Sequence, residues 1–132
     1  MNAKTWIVLG ASLGALAVFL GAFGAHGLPG YLETLEITGL EISRRVANWE
    51  TAAKYQMYHS LALVLVGLLA ARRPLLSLHL AGFAMFFGTL IFSGCLYALV
   101  LSGIKVLGAI VPIGGVLMIL GWIALAVAGR KE

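Results

Sequence analysis

Four long, unbroken apolar runs leave this chain few ways to fold. They extend from about Thr5 to Ala25, Lys54 to Ala71, Leu75 to Leu101 and Val106 to Ala128. Each is close to the ~20 residues that cross a ~30 Å hydrocarbon core at roughly 1.5 Å of rise per residue. The apolar residues are continuous and do not alternate. That favours helices over a β-barrel, whose strands turn every second side chain to the lumen. Composition points the same way. Of 132 residues, 61% are hydrophobic and 11% charged, against about 45–50% apolar and ~25% charged in a soluble domain. So small a domain has no core large enough to hide the excess, and lipid is the expected solvent. The first run follows Lys4 as a signal peptide would. It outruns an h-region of about 7–15 residues and three more runs follow, so it reads as a retained span.

The expected fold is an all-α integral membrane protein with one domain over residues 1–132. It is a four-transmembrane-helix antiparallel bundle with a short interfacial helix between the first two spans. Arg72-Arg73-Pro74 and Ser102-Gly103-Ile104-Lys105 are tight connections, which make the flanking helices antiparallel neighbours. The first connection is the long one. In it Leu28, Tyr31, Leu32 and Leu35 recur at helical spacing, Thr38 and Glu41 have capping-box spacing, and Ile42, Val46, Trp49 and Ala53 form a second stripe. Residues of about 28–53 are therefore expected as one or two amphipathic helices lying in the interface and leading into the second span.

The net charge of +4 does not point to nucleic acid, because the basic residues sit at the ends of apolar runs and not in an aromatic-interleaved stripe. Lys4, Arg72, Arg73, Arg130 and Lys131 fall on one side, Arg44, Arg45, Lys54 and Lys105 on the other. The Arg-Arg loop and basic tail favour both termini in the cytoplasm. The single cysteine, Cys95, excludes an internal disulfide or a CxxC motif and reads as a packed thiol.

Small residues recur along the spans. Gly10, Gly14, Ala17, Gly21 and Gly24 line the first, Gly82, Gly88 and Gly94 the third, and Gly108, Gly114, Gly115 and Gly121 the fourth. In lipid, close backbone approach at such positions is one of the few sources of helix–helix attraction. Gly27 suits a helix end, Pro29 a stop to continuation, and Pro112 a kink inside the fourth span.

Polar groups are few and converge. His26 ends the first span, Gln56 and His59 share a face of the second with Tyr55 a turn away, and Ser93 and Tyr97 return on the third. Trp49 precedes this level, and the backbone near Pro112 reaches it. The leading reading is interhelical hydrogen bonding that fixes the packing. The alternatives are a site for a lipid headgroup or quinone, bis-histidine haem ligation by His26 and His59, and a proton path. The last lacks a buried carboxylate, since no Asp is present and every Glu lies outside the spans. His79 reads as interfacial. No catalytic residue and no metal site are expected. Ser60 points away from His59, and no phosphate-binding glycine loop occurs.

"GAFGAHGL", "WETAAKYQMYHSLALVLVGLL", "FSGCLYALVLSG" and "VPIGGVLMILGW" together resemble the DUF423 family of small, YgdD-like bacterial membrane proteins, related to the eukaryotic transmembrane protein 256. The blocks occur in order over nearly the whole chain. The resemblance implies a four-helix inner-membrane protein and assigns no activity. The blocks contain His26, Trp49, Tyr55, Gln56, His59, Ser93, Tyr97, Gly114 and Gly115, with no role to transfer to them. The expected function is a non-enzymatic accessory or scaffold component, acting as a homo-oligomer or within a larger membrane complex. The runner-up is a binder of a small hydrophobic ligand (lipid, quinone or haem) at the His26/His59 level. The third reading is an oligomeric transporter or channel.

Overall fold

The computed structural model describes residues 1–130. They form five helices: α1 (Ala3–His26), α2 (Leu28–Glu33), α3 (Gly39–Arg72), α4 (Leu76–Ser102) and α5 (Val106–Gly129). Among the described residues, α1, α4 and α5 are long and apolar enough to cross a membrane. α3 is the longest at 34 residues, and only its second half is apolar.

The helix ends follow local chemistry. Asn2 starts α1 by accepting the Thr5 N–H at 2.9 Å, which satisfies one of the donors orphaned at any helix start. Gly27 ends it, donating to the Phe23 carbonyl at 2.8 Å. Pro29 does more than stop the chain: it sits in the first turn of α2, where a missing N–H costs nothing. Thr38 caps α3 by accepting the Glu41 N–H at 3.2 Å, as its spacing predicts. The Glu41 carboxylate turns to Arg44 and Arg45 and not back to the cap.

The expected interfacial segment resolves differently. Only α2 is a short separate helix. The stripe of Ile42, Val46 and Trp49 belongs to α3, which runs without interruption into the apolar half. No glycine or proline lies between Leu40 and Val66, so nothing in the sequence ends a helix at Lys54. That stripe packs inward: Trp49 joins Leu28, Leu32 and Val100 in a buried cluster, with Ile42 and Val46 against it.

α1, α3, α4 and α5 pack in that order, each antiparallel to the one before. Along α1 and α3, Gly24 meets Trp49, Gly10 meets Ser60 and Val64, and Ile7 meets Gly67. Along α4 and α5, Gly88 meets Gly114 and Met118, and Gly121 meets Met85. Two tryptophans close the diagonals. Trp6 of α1 reaches α4, edge-on to Phe83 with centroids 5.0 Å apart and with Gly82 beneath its ring. Trp122 of α5 reaches His59 of α3. At one end Ala3, Ala70, Leu78 and Ala128 cluster, so the start of α1 and the end of α5 lie beside the Arg72-Arg73-Pro74 turn. The α2 cluster marks the other end.

Seven of the eleven glycines expected at helix contacts are there: Gly10, Gly14, Gly24, Gly82, Gly88, Gly114 and Gly121, whereas Gly94 has nothing within 4 Å. A Cβ on Gly10 would stand 2.6 Å from the Ser60 carbonyl, one on Gly121 2.6 Å from Met85, and one on Gly114 2.5 Å from the Phe92 nitrogen. Gly14 is 3.2 Å by the same measure from the Ser60 hydroxyl, and Gly24 abuts the Trp49 ring. Gly21 has nothing within 4 Å, and Gly108 and Gly115 make only ordinary contacts at 3.7 and 3.9 Å. The contact face of α5 is Gly114, Met118 and Gly121, one position round from the seven-residue repeat of Gly108 and Gly115. A strict heptad drifts off a straight helix's face by about 20° per repeat. Pro112 is exposed and α5 continues through it, so its backbone is not part of the polar level.

Candidate functional site

The chemistry of this protein is concentrated on α3. Trp49, Ala52, Gln56, His59, Ser60, Leu63, Val66, Gly67 and Ala70 are all buried. They recur every three or four residues and so share one face. Leu61, Leu65 and Leu68 on the opposite face are more than half exposed. This is inside-out relative to a soluble helix.

Most polar groups on the inward face reach another helix. Trp49 donates its indole N–H to the Leu20 carbonyl at 2.7 Å. Gln56 donates from Nε2 to the Leu13 carbonyl at 2.9 Å and accepts the Tyr97 hydroxyl on Oε1 at 2.9 Å. Gln56 therefore ties α1, α3 and α4 at one level. Ser93 of α4 donates to the Ala52 carbonyl at 2.8 Å. Above them Arg45 donates to the Val100 carbonyl at 3.0 Å. The accepting carbonyls lie within helices and use a second lone pair, so no ladder bond need be given up.

His59 is fully committed. Trp122 donates its indole N–H to His59 Nε2 at 3.1 Å. Indole can only donate, so Nε2 carries a lone pair and the neutral ring's proton is on Nδ1. Nδ1 lies 2.7 Å from the Tyr55 carbonyl of its own helix, where that proton is donated. The second bridge repeats the pattern with the other nitrogen: Trp6 donates to His79 Nδ1 at 3.1 Å. His79 is thus an interhelical acceptor and not simply an interfacial residue. Ser60 bonds the Met57 carbonyl at 2.7 Å and Thr89 the Met85 carbonyl at 2.7 Å. Among the described residues, the Ser77 hydroxyl is the only buried side-chain polar atom without a partner.

The structure brings Trp49, Gln56, Ser93 and Tyr97 together, with Trp49 and Tyr97 rings 4.6 Å apart. His59 lies a turn along α3 with a partner of its own. Tyr55 is 41% exposed and flanks the group, its ring 4.9 Å from Phe92. His26 does not join them. The inward face of α1 is Trp6, Gly10, Ala17 and Gly24; two residues beyond Gly24 the helix has turned about 200°, and His26 is exposed. Paired haem ligation by His26 and His59 therefore lacks its geometry: one imidazole is outside the bundle, and both nitrogens of the other are engaged. No Ser, Thr or Cys is hydrogen-bonded to His59 among the described residues. No group of three or more His, Cys, Asp or Glu able to hold a metal occurs among them either.

Reasoning from residue types missed Trp6 and Trp122 as partners of the histidines. Only the two residue types gave a signal: a Trp in an apolar helix needs an acceptor for its N–H, and a neutral histidine nitrogen is one of the acceptors such helices offer beside backbone carbonyls.

Helices of membrane-crossing length, tied through an inward-facing polar helix, define a small all-helical membrane protein. The chain belongs to the DUF423 family, described as proteins of unknown function, whose match covers residues 20–115. It is 47% identical to a UPF0382 membrane protein of Staphylococcus aureus (strain USA300), over 97% of both chains. It is 44% identical to a UPF0382 membrane protein of Staphylococcus epidermidis (strain ATCC 12228), again over 97% of both. UPF0382 membrane protein YwdK of Bacillus subtilis (strain 168) is 43% identical, over 97% of this chain and 98% of the relative. No solved structure matches.

Proposed function

We propose that the protein crosses the bacterial cell membrane four times and acts there as a non-enzymatic accessory or scaffold component. The carrying observation is the state of His59. Its two nitrogens are taken by the Tyr55 carbonyl and by Trp122, and its neighbours Gln56, Ser93 and Tyr97 bond one another's helices. Groups so committed hold helices together and offer little to a substrate or ligand.

The fourth crossing is α3. Its polar residues lower its overall hydropathy, yet they face inward while leucines face out. It also runs antiparallel to α1 along the whole of that helix, from Gly24 beside Trp49 to Ala3 beside Gly67. Lys4, Arg72, Arg73 and Arg130 gather at the end of the bundle that holds both chain ends, which favours that end for the cytoplasm.

Two measurements test this. With Cys95 replaced by Ser, Thr34→Cys and Pro74→Cys, which flank α3, are expected to react with an impermeant thiol reagent from opposite faces of the membrane. Labelling from one face would overturn four crossings. Crosslinking in native membranes is expected to recover a distinct membrane partner; self-contacts alone would overturn the accessory role.

A further inference from the structure

The outward face of α3 is polar where a membrane helix should meet lipid. Glu50, Lys54, Tyr58, Leu61, Leu65 and Leu68 are exposed. They recur every three or four residues, which puts them in one stripe opposite Gln56 and His59. Gly24 meets Trp49, and Gly14 lies against Ser60 and Met57. Glu50 therefore stands near the end of α1, and Tyr58 about midway along it. We infer that this stripe docks a second copy of the chain. The two α3 helices lie side by side about a two-fold axis along the membrane normal, with each Lys54 ammonium between two Glu50 carboxylates.

Three observations converge on that occupant. The first is charge. Glu41 pairs with Arg44 and Arg45 along its own helix. Glu50 and Lys54 have the same spacing and make no ion pair among the described residues. A two-fold axis sets each residue against its own copy at the same depth. Side chains on a helix lean toward its N-terminus, so Lys54 reaches back to the level of Glu50. Two of each then form a ring of zero net charge, whereas a partner of one sign would leave half of these charges unmatched. The second is the Tyr58 hydroxyl, which has no hydrogen bond among the described residues. Midway along α1 no water serves it, and a lipid headgroup stays at the rim. A neighbouring α3 brings another Lys54 to its level. The third is the rest of the stripe. Leu61, Leu65 and Leu68 carry it on at the three-and-four spacing of a two-helix seam. The outer faces of α1 and α5, with Val18, Phe19, Ile119 and Ile123 exposed, stay uncovered for a distinct partner.

The pairing rests on α3 crossing the membrane, which the Thr34 and Pro74 labels report separately. Its test is disulfide crosslinking of the full chain in native membranes. With Cys95 replaced by Ser, Leu61→Cys is oxidised with copper phenanthroline and the linked dimer read on a non-reducing gel. A strong dimer band is expected. Ile123→Cys, exposed on α5 beside the Trp122–His59 level, puts a thiol at a similar depth and should lose that band. Glu50→Lys and Lys54→Glu, each alone with Leu61→Cys, fill the ring with like charges and should cut the dimer about tenfold. Co-expressed under different tags, those two variants should link to each other at close to the parent's level. Neither an ion pair within one helix nor a lipid headgroup gives that restoration, because each variant's own helix still carries like charges. Tyr58→Phe should lower the dimer about threefold. The amount of each variant in the membrane is measured alongside, and the comparison of Leu61→Cys with Ile123→Cys needs no change of charge. Equal bands from those two cysteines, or no restoration between charge variants present at parental amounts, would overturn the pairing.

Discussion

The α4–α5 contact and the contacts of α3 with α1 and α4 solve one problem in two ways. Between α4 and α5 the helices touch through Gly88, Gly114 and Gly121, backed by Met85 and Met118, and no side-chain hydrogen bond to a backbone carbonyl crosses among the described residues. Around α3, Gln56, Trp49, Ser93 and Arg45 each bond a carbonyl of a neighbouring helix. The first is a steric solution that depends on missing atoms. The second depends on polar atoms finding partners where water cannot supply them. A steric contact tolerates no added volume but is indifferent to polarity. A bonded contact tolerates small changes of shape but not loss of a donor.

That difference can be broken most sharply at Gly114. Its added Cβ would meet backbone on both sides, the Phe92 nitrogen at 2.5 Å and the Gly88 carbonyl at 2.7 Å, so no side chain can move aside. Gly114→Ala is expected to lower the stability of the bundle by roughly 3 kcal/mol, read as a fall in the melting midpoint in detergent. At Gln56 the loss is of bonds, not of room. Gln56→Leu removes the links to Leu13 and Tyr97 and is expected to cost about 1–2 kcal/mol, since single bonds of this kind average about 0.6. A double-mutant cycle with Tyr97→Phe separates the Tyr97 share. The smallest effect belongs to Gly21, which has open space around it. Gly21→Ala should leave the midpoint within about 0.5 kcal/mol of the parent or raise it slightly through helix propensity. A large loss at Gly21 would break the distinction between stripe glycines that touch and those that do not.

The fold was largely legible and the site only in part. Helix boundaries at Gly27, Thr38, Gly103 and Pro74 follow from turn and cap chemistry, and the ends of the apolar runs fall within a few residues of α1, α4 and α5. The continuity of α3 was hidden by its change in polarity. Hydropathy reports what a helix is made of, while its length is set by the absence of breakers from Leu40 to Val66. Gln56, Ser93 and Tyr97 could be brought together because the tight Arg72-Arg73-Pro74 turn fixes the register of α3 against α4. His26 could not be excluded by depth alone, since its exposure depends on the rotation of α1 and the 100° step from residue to residue. The tryptophan–histidine bridges lie on diagonals of the bundle, and neither loop length nor periodicity specifies which helix faces which across a diagonal.

The uninterrupted course of α3 has a mechanical consequence. At 34 residues it is roughly 50 Å long, against about 36 Å for the 24 residues of α1. The surplus stands at the end that carries Glu41 and Arg44. With no hinge residue between Leu40 and Val66, that projection and the Gln56–His59 level form a single stiff rod. A push or pull applied to that end would be shared between the Arg45–Val100 bond and α2 contacts beside it and the bonds further along that join α3 to α1, α4 and α5.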